Sequence, residues 1–165
     1  MSEYVFGYGS LAGEGVAAAL PGFRRFWGVA MDNSQTVPGY KNYFLRSDGS
    51  RPEVLVAYLD IEEDAESEVN GTLLGVDAEA LAVLDRRERN YDRIDVTGHL
   101  AGPPGRVWAY RGSSGGRARF AAARAEGRVV VSRDYFDHLC GLGRSIEVGD
   151  LPVWDLERVE VPGSE

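Results

Sequence analysis

Tyr4-Val5-Phe6-Gly7-Tyr8-Gly9-Ser10-Leu11-Ala12 is the stretch on which the reading of the fold turns. Residues 4–8 alternate in the manner of a first strand, and the glycines on either side of Tyr8 mark a tight turn out of it. The same letters fit the loose G-x-G-x-x-[G/A] pattern that opens a dinucleotide-binding unit. Asp32 even stands about twenty residues on, where a ribose-binding carboxylate is expected. The segment that follows argues against that unit. Residues 13–20 read as two helical turns stopped by Pro21-Gly22, too short for the crossover helix of a βαβ unit. Two readings of the turn stay open. Its glycines avoid steric conflict between strand and helix, or they let successive N–H groups converge on a carboxylate or oxyanion.

Working outward, residues 23–32, 44–46, 53–60, 69–76, 93–100 and 106–111 read as strands. Residues 33–43 form a long loop carrying Tyr40, Lys41 and Tyr43, which could meet the leaving group or an anionic tail of a substrate. Six carboxylates crowd into residues 60–68, a segment that reads as a solvated connector and not as a metal-binding loop. Helices are expected at 78–89, capped by Asp77, at 117–126, and at 133–140, capped by Ser132. Six or seven short strands among four short helices, with no alternating βαβ order, indicate an α+β fold.

The chain has 165 residues, 26 carboxylates against 18 basic side chains, and a net charge of −8. This length suits one domain over residues 1–165, with 144–165 as a tail packing on or near it. The acidic balance lacks the basic footprint of a nucleic-acid binder. No run of about eighteen apolar residues suggests a membrane span, and no leader pattern opens the sequence, so a cytoplasmic location is expected. Cys140 has no second cysteine to pair with. It reads as a small buried residue, and His138, two positions away on the same helix, points elsewhere. His99 reads as exposed, and Trp27, Trp108 and Trp154 as core or rim residues. Nothing has metal-ligand spacing.

On a helical wheel of residues 78–89, Ala80, Leu81, Leu84 and Glu88 share one face. An inward carboxylate is costly unless it is paired or protonated, and the negative end of the helix dipole adds to that cost. Both effects raise a carboxyl pKa toward the range useful for general acid–base catalysis. The alternative is a salt bridge from Glu88 to Arg87, Arg93 or another arginine.

Taken together, Tyr8-Gly9-Ser10-Leu11 after the first strand and Leu84-Asp85-x-x-Glu88-x-x-Tyr91-x-Arg93-x-x-Val96 resemble the γ-glutamylcyclotransferase-like superfamily. Gly71-Thr72-Leu73-Leu74-Gly75-Val76 and Val131-Ser132-Arg133-Asp134-Tyr135 are similar to it as well. The resemblance implies a compact mixed β-barrel flanked by short helices, with a cavity between the turn and the glutamate. It implies a cofactor-independent transferase that cleaves γ-glutamyl amides into 5-oxoproline and an amine. Tyr8, Gly9, Ser10 and Leu11 would bind the γ-glutamyl group, Glu88 would be the general acid/base, and Tyr91 would support it. The partner is then a small molecule, whether glutathione, a γ-glutamyl amino acid or a γ-glutamyl amine, acted on by a monomer or homodimer. A non-catalytic module that keeps the γ-glutamyl pocket is the other class of function compatible with these residues.

Overall fold

The computed structural model describes residues 2–11, 15–34, 42–144 and 146–160. Tyr40 and Lys41 of the long loop lie outside them. The architecture is mixed α+β. Its spine is a hairpin-like pair of long strands, β2 (Val16–Asp32) and β4 (Leu55–Val76). They run antiparallel over nearly their whole length, from Val16 opposite Leu73 to Asp32 opposite Leu55.

The other edge of β4 is shared. Residues 72–76 pair antiparallel with β1 (Glu3–Gly7), and Leu55 and Val56 pair in parallel with β7 (Val129–Ser132). Beyond β1 lie β6 (Arg106–Gly112), parallel to it, and then β5 (Tyr91–Asp95), antiparallel to β6. Beyond β7 lies β8 (Val153–Trp154), also parallel. A second, two-stranded sheet joins β3 (Asn42–Leu45) to β9 (Glu157–Glu160). The C-terminal segment is therefore tied to the body at two places by backbone hydrogen bonds.

Among the described residues, three α-helices flank the strands. In α1 (Ala78–Arg87), the Asp77 carboxylate accepts from the Ala80 N–H at 2.7 Å, and Leu81 is the buried contact. This is the expected cap, satisfying one of the free donors at a helix start. Helix α2 (Ser114–Ala125) is capped in the same way by Ser113 and buries Phe120 and Ala123. Helix α3 (Arg133–Gly141) begins at Ser132, whose buried hydroxyl makes no capping bond. No helix among the described residues is long and apolar enough to cross a membrane.

Several expectations need correction. Residues 16–20 are strand, not helix, because each faces a β4 partner that takes up its backbone groups. Pro21-Gly22 marks a shift of register instead of a helix stop: the pairing slips between Pro21 and Phe23, and Gly22 takes φ +85°. This conformation is open to glycine at little cost. The acidic segment 60–68 is no connector. It is the middle of β4, with Arg24 of β2 ion-paired to Glu62 across the ladder. The expected strand at 93–100 closes at Asp95. The Asp95 carboxylate there accepts from the Thr97 N–H at 2.9 Å and opens a 3-10 turn, Thr97–His99. Cys140 is exposed, because α3 directs the neighbouring Leu139 into the core.

The main core gathers Phe6, Leu20, Phe23, Leu59, Ile61, Val107 and Leu139 between the sheet and the helices. Asp60 is fully buried beside it. Its carboxylate accepts from the Gly112 and Ile61 N–H groups and from Arg117 Nε, all at 2.7 Å. Gly112 stands opposite Tyr91 in the β5–β6 ladder. Asp60 thus pins the point at which the chain coming from α1 enters the sheet.

Candidate active site

The turn after β1 and the end of α1 meet at one cavity of about 230 Å³. Gly7, Tyr8, Gly9, Ser10 and Leu11 form one wall, and Glu88 and Tyr91 form another. Tyr58, Tyr110 and Tyr135 add aromatic surface. Topology brings these walls together. Strand β4 runs beside β1, then α1 carries the chain back to β5, with only β6 separating β5 from β1.

Glu88 is not in the last helical turn, as expected, but is the residue that closes the helix. Its N–H donates to the Leu84 carbonyl at 2.9 Å, and its backbone leaves the helical region at φ −91°, ψ 65°. The salt-bridge alternative for Glu88 finds no support: among the described residues its carboxylate has neither an ion pair nor a hydrogen bond. Arg93 turns instead to Asp85, at 3.3 Å. Burial raises the Glu88 carboxyl above the usual carboxylate range, and the Arg87 charge only partly opposes this. A carboxylate left unpaired at a cavity wall has its proton affinity set by desolvation.

The tyrosines around it are neutral acids. Burial pushes Tyr8, Tyr91 and Tyr135 up, and nearby acidic groups, Glu88 among them, add to the effect. The Tyr91 hydroxyl donates to the Leu59 carbonyl at 2.7 Å, and the Tyr8 hydroxyl donates to the Tyr110 carbonyl at 2.5 Å. With their protons committed to backbone, both phenols can offer the cavity oxygen lone pairs. They suit a ligand ammonium better than an oxyanion.

The turn is held from behind. Arg25 Nε donates to the Tyr8 carbonyl at 3.1 Å, and Arg144 Nη1 donates to the carbonyls of Gly9 and Leu11. Arg144 is buried and reaches Thr72 Oγ1 with its other nitrogen. The N–H groups of Gly9, Ser10 and Leu11 donate to no described residue. No glycine of the turn has positive φ. The steric demand falls on Gly7, where a Cβ would lie 2.1 Å from the Leu11 carbonyl oxygen; at Gly9 it would meet only the Tyr135 hydroxyl, at 3.3 Å.

The model of the gamma-glutamyl cyclotransferase, AIG2-like family matches residues 5–135. The chain belongs to that family. The matched span holds both cavity walls of this gamma-glutamyl cyclotransferase-like protein, and it stops short of Arg144. A solved structure titled gamma-glutamyl cyclotransferase is 17% identical, with 68% of each chain covered and a TM-score of 0.44. No curated protein matches the chain.

The six residues that the resemblance assigns to the site all line the cavity: Tyr8, Gly9, Ser10, Leu11, Glu88 and Tyr91. Sequence reasoning missed Arg25 and Arg144. Arg25 is one of several arginines in a strand, and Arg144 lies in what reads as a tail, so neither carried a local signal. Tyr135 was inside a recognised segment without a role. Its ring packs edge-on against Trp27 and Tyr58, at 6.0 and 5.1 Å between centroids. Tyr43 lies in β3 with the Arg51 guanidinium over its ring.

Proposed function

We propose that the protein is a γ-glutamyl cyclotransferase that releases 5-oxoproline and an amine from a γ-glutamyl amide, with Glu88 as general acid/base. The observation that carries this reading is the placement of Glu88: a carboxylate without a partner among the described residues, raised in pKa by burial, on the cavity that the 8–11 turn also lines. Family membership supports it.

The substrate supplies its own nucleophile. Its α-amine attacks the γ-carbonyl carbon, a five-membered ring forms, and the bond from that carbon to the leaving nitrogen breaks. The α-ammonium must first lose a proton. Transfer from an ammonium near pKa 8 to an ordinary carboxylate is uphill by about 5 kcal/mol. Desolvation of Glu88 narrows that gap. The proton it accepts passes to the departing nitrogen, and the second proton of the attacking nitrogen follows by way of the same carboxylate, so the amine leaves as an ammonium and the glutamate ends each cycle as it began. The Tyr8 and Tyr91 oxygens accept from the ammonium and hold it near the carbonyl, where orientation lowers the barrier further. The Gly9, Ser10 and Leu11 N–H groups take an anionic oxygen of the γ-glutamyl group.

A mass-spectrometric screen of γ-glutamyl amides, run with wild type and Glu88→Gln, tests the proposal. Formation of 5-oxoproline by wild type alone is expected. Glutamate as the product would mean that water had replaced the α-amine as nucleophile. Binding without any product would identify a module that keeps the pocket and has no turnover.

A further inference from the structure

Arg87 and Arg89, the chain neighbours of Glu88, both line the cavity with it. Helical periodicity alone would not arrange this. Residues two apart on an uninterrupted helix stand about 200° apart around its axis. Helix α1 ends at Arg87, and the ψ of 65° at Glu88 breaks the repeat, so Arg87, Glu88 and Arg89 come to the same cavity. Both arginines are exposed, which places them toward its mouth. Among the described residues neither is held by an ion pair or a hydrogen bond. Asp85, on the same helix, is committed to Arg93 and to the Tyr110 hydroxyl.

Asn90 continues this wall of the cavity. Arg119 Nη1 donates to Asn90 Oδ1 at 3.0 Å and to the Ala30 carbonyl at 3.2 Å. A guanidinium has donors only, so the Asn90 oxygen must face it, and the Asn90 NH2 is left as a donor without a partner among the described residues. The stretch 87–90 thus presents two cations and a neutral donor around one carboxylate. In the proposed reaction Glu88 returns a proton to the departing nitrogen, so that nitrogen lies beside Glu88. The rest of the amine then meets Arg87, Arg89 and Asn90.

We propose that Arg87 and Arg89 are specificity-determining residues that select a γ-glutamyl amide whose leaving amine is dianionic, either an amino acid with two carboxylates or an amine with a phosphate ester. This rests on reading the cavity as a γ-glutamyl site. A guanidinium fork matches a carboxylate or a phosphate through two parallel hydrogen bonds. A singly charged tail answers one of the two forks, and a dianion answers both. The chain as a whole carries a net charge of −8 and repels such a ligand, so a preference for it must come from cations at the site itself.

Steady-state kinetics on four amides test this: γ-glutamylglutamate and γ-glutamyl phosphoethanolamine, both dianionic in the amine, γ-glutamylalanine with one carboxylate, and uncharged γ-glutamylethylamide. In wild type, kcat/KM for 5-oxoproline release is expected to fall about fivefold with each charge removed, chiefly through KM, the upper scale of an exposed ion pair. Arg87→Met and Arg89→Met should each lower the ratio between the better dianionic amide and the uncharged one about fivefold. That ratio is taken within one variant, so any unfolded fraction cancels. The better of the two dianions assigns the tail as dicarboxylate or phosphate. Equal kcat/KM across the panel would overturn the inference. So would γ-glutamylalanine matching both dianions, or a ratio that both Met variants keep, the mark of arginines that only solvate the surface. Calorimetric titration of Glu88→Gln with the same amides reads the order without turnover. That order in binding, with no 5-oxoproline from wild type, would overturn the proposed function and leave this inference standing.

Discussion

Leu11 folds back over Gly7 so closely that its carbonyl oxygen occupies the space where a side chain at Gly7 would begin, 2.1 Å from an ideal Cβ. This contact fixes the curvature of the turn, and the Gly7 carbonyl is itself packed near Gly71, where a Cβ would meet it at 2.4 Å. Gly7→Ala must push the turn away from β1. It is expected to cost about 1–3 kcal/mol of stability, in the range of overpacked substitutions, and to abolish 5-oxoproline binding. Gly9→Ala, with only the Tyr135 hydroxyl to displace, should keep both. Urea unfolding and calorimetry on the two variants check this; matching behaviour would refute the assigned contact.

Glu88→Gln should fold and bind while losing turnover by about a hundredfold or more, the scale of general acid–base catalysis. The glutamate must be ionised to accept a proton, and its pKa is raised. The acid limb of the wild-type kcat/KM profile should therefore lie above the usual carboxylate range near ~4.3. An acid limb at an ordinary carboxylate value would contradict the desolvated base.

The same shift has a consequence for stability. A carboxyl whose pKa is higher in the folded than in the unfolded state favours folding fully below the unfolded pKa. That contribution is lost as pH rises through the folded pKa. At neutral pH the wild type therefore carries a buried charge that Glu88→Gln removes. The variant should melt at a higher temperature than wild type at pH 7–8, with the difference shrinking to nothing below roughly pH 4. Differential scanning calorimetry across that range would show it, and a variant less stable at neutral pH would count against the unpaired placement.

Asp60 is a structural counterpart to Glu88. It is fully buried but accepts from Gly112, Ile61 and Arg117. Asp60→Ala leaves those donors without an acceptor and should cost about 3–5 kcal/mol, as for other broken buried pairs. Denaturant midpoints measure this directly. A loss under about 1 kcal/mol would show that β5 and β6 are held by something else.

Tyr91→Phe removes the hydroxyl that donates to the Leu59 carbonyl while leaving the ring in place. A net loss of about 0.5–1.5 kcal/mol is expected from the missing hydrogen bond. If the phenol oxygen also holds the substrate ammonium, KM should rise as well. An unchanged KM would confine Tyr91 to a structural role.

Local patterns in the sequence determined a good deal. The first strand and its glycine turn, the Asp77-capped helix and the inward aim of Glu88 all follow from spacing within a few residues, and each has its place in the fold. The α+β class follows from the same patterns. What sequence could not supply was decided by partners far along the chain. Residues 16–20 become strand because they face 69–73 across the β2–β4 ladder, and residues 60–63 because they face 23–26, pairings that supply hydrogen bonds no local preference encodes. Asp60, among carboxylates of the same segment, is buried because Gly112 and Arg117 reach it from more than fifty residues away. Arg144, in an unremarkable tail, meets the turn 135 residues before it. Periodicity fixes which way a side chain faces, but only the folded chain fixes what it faces, because long-range contacts are made by residues that carry no trace of one another in sequence.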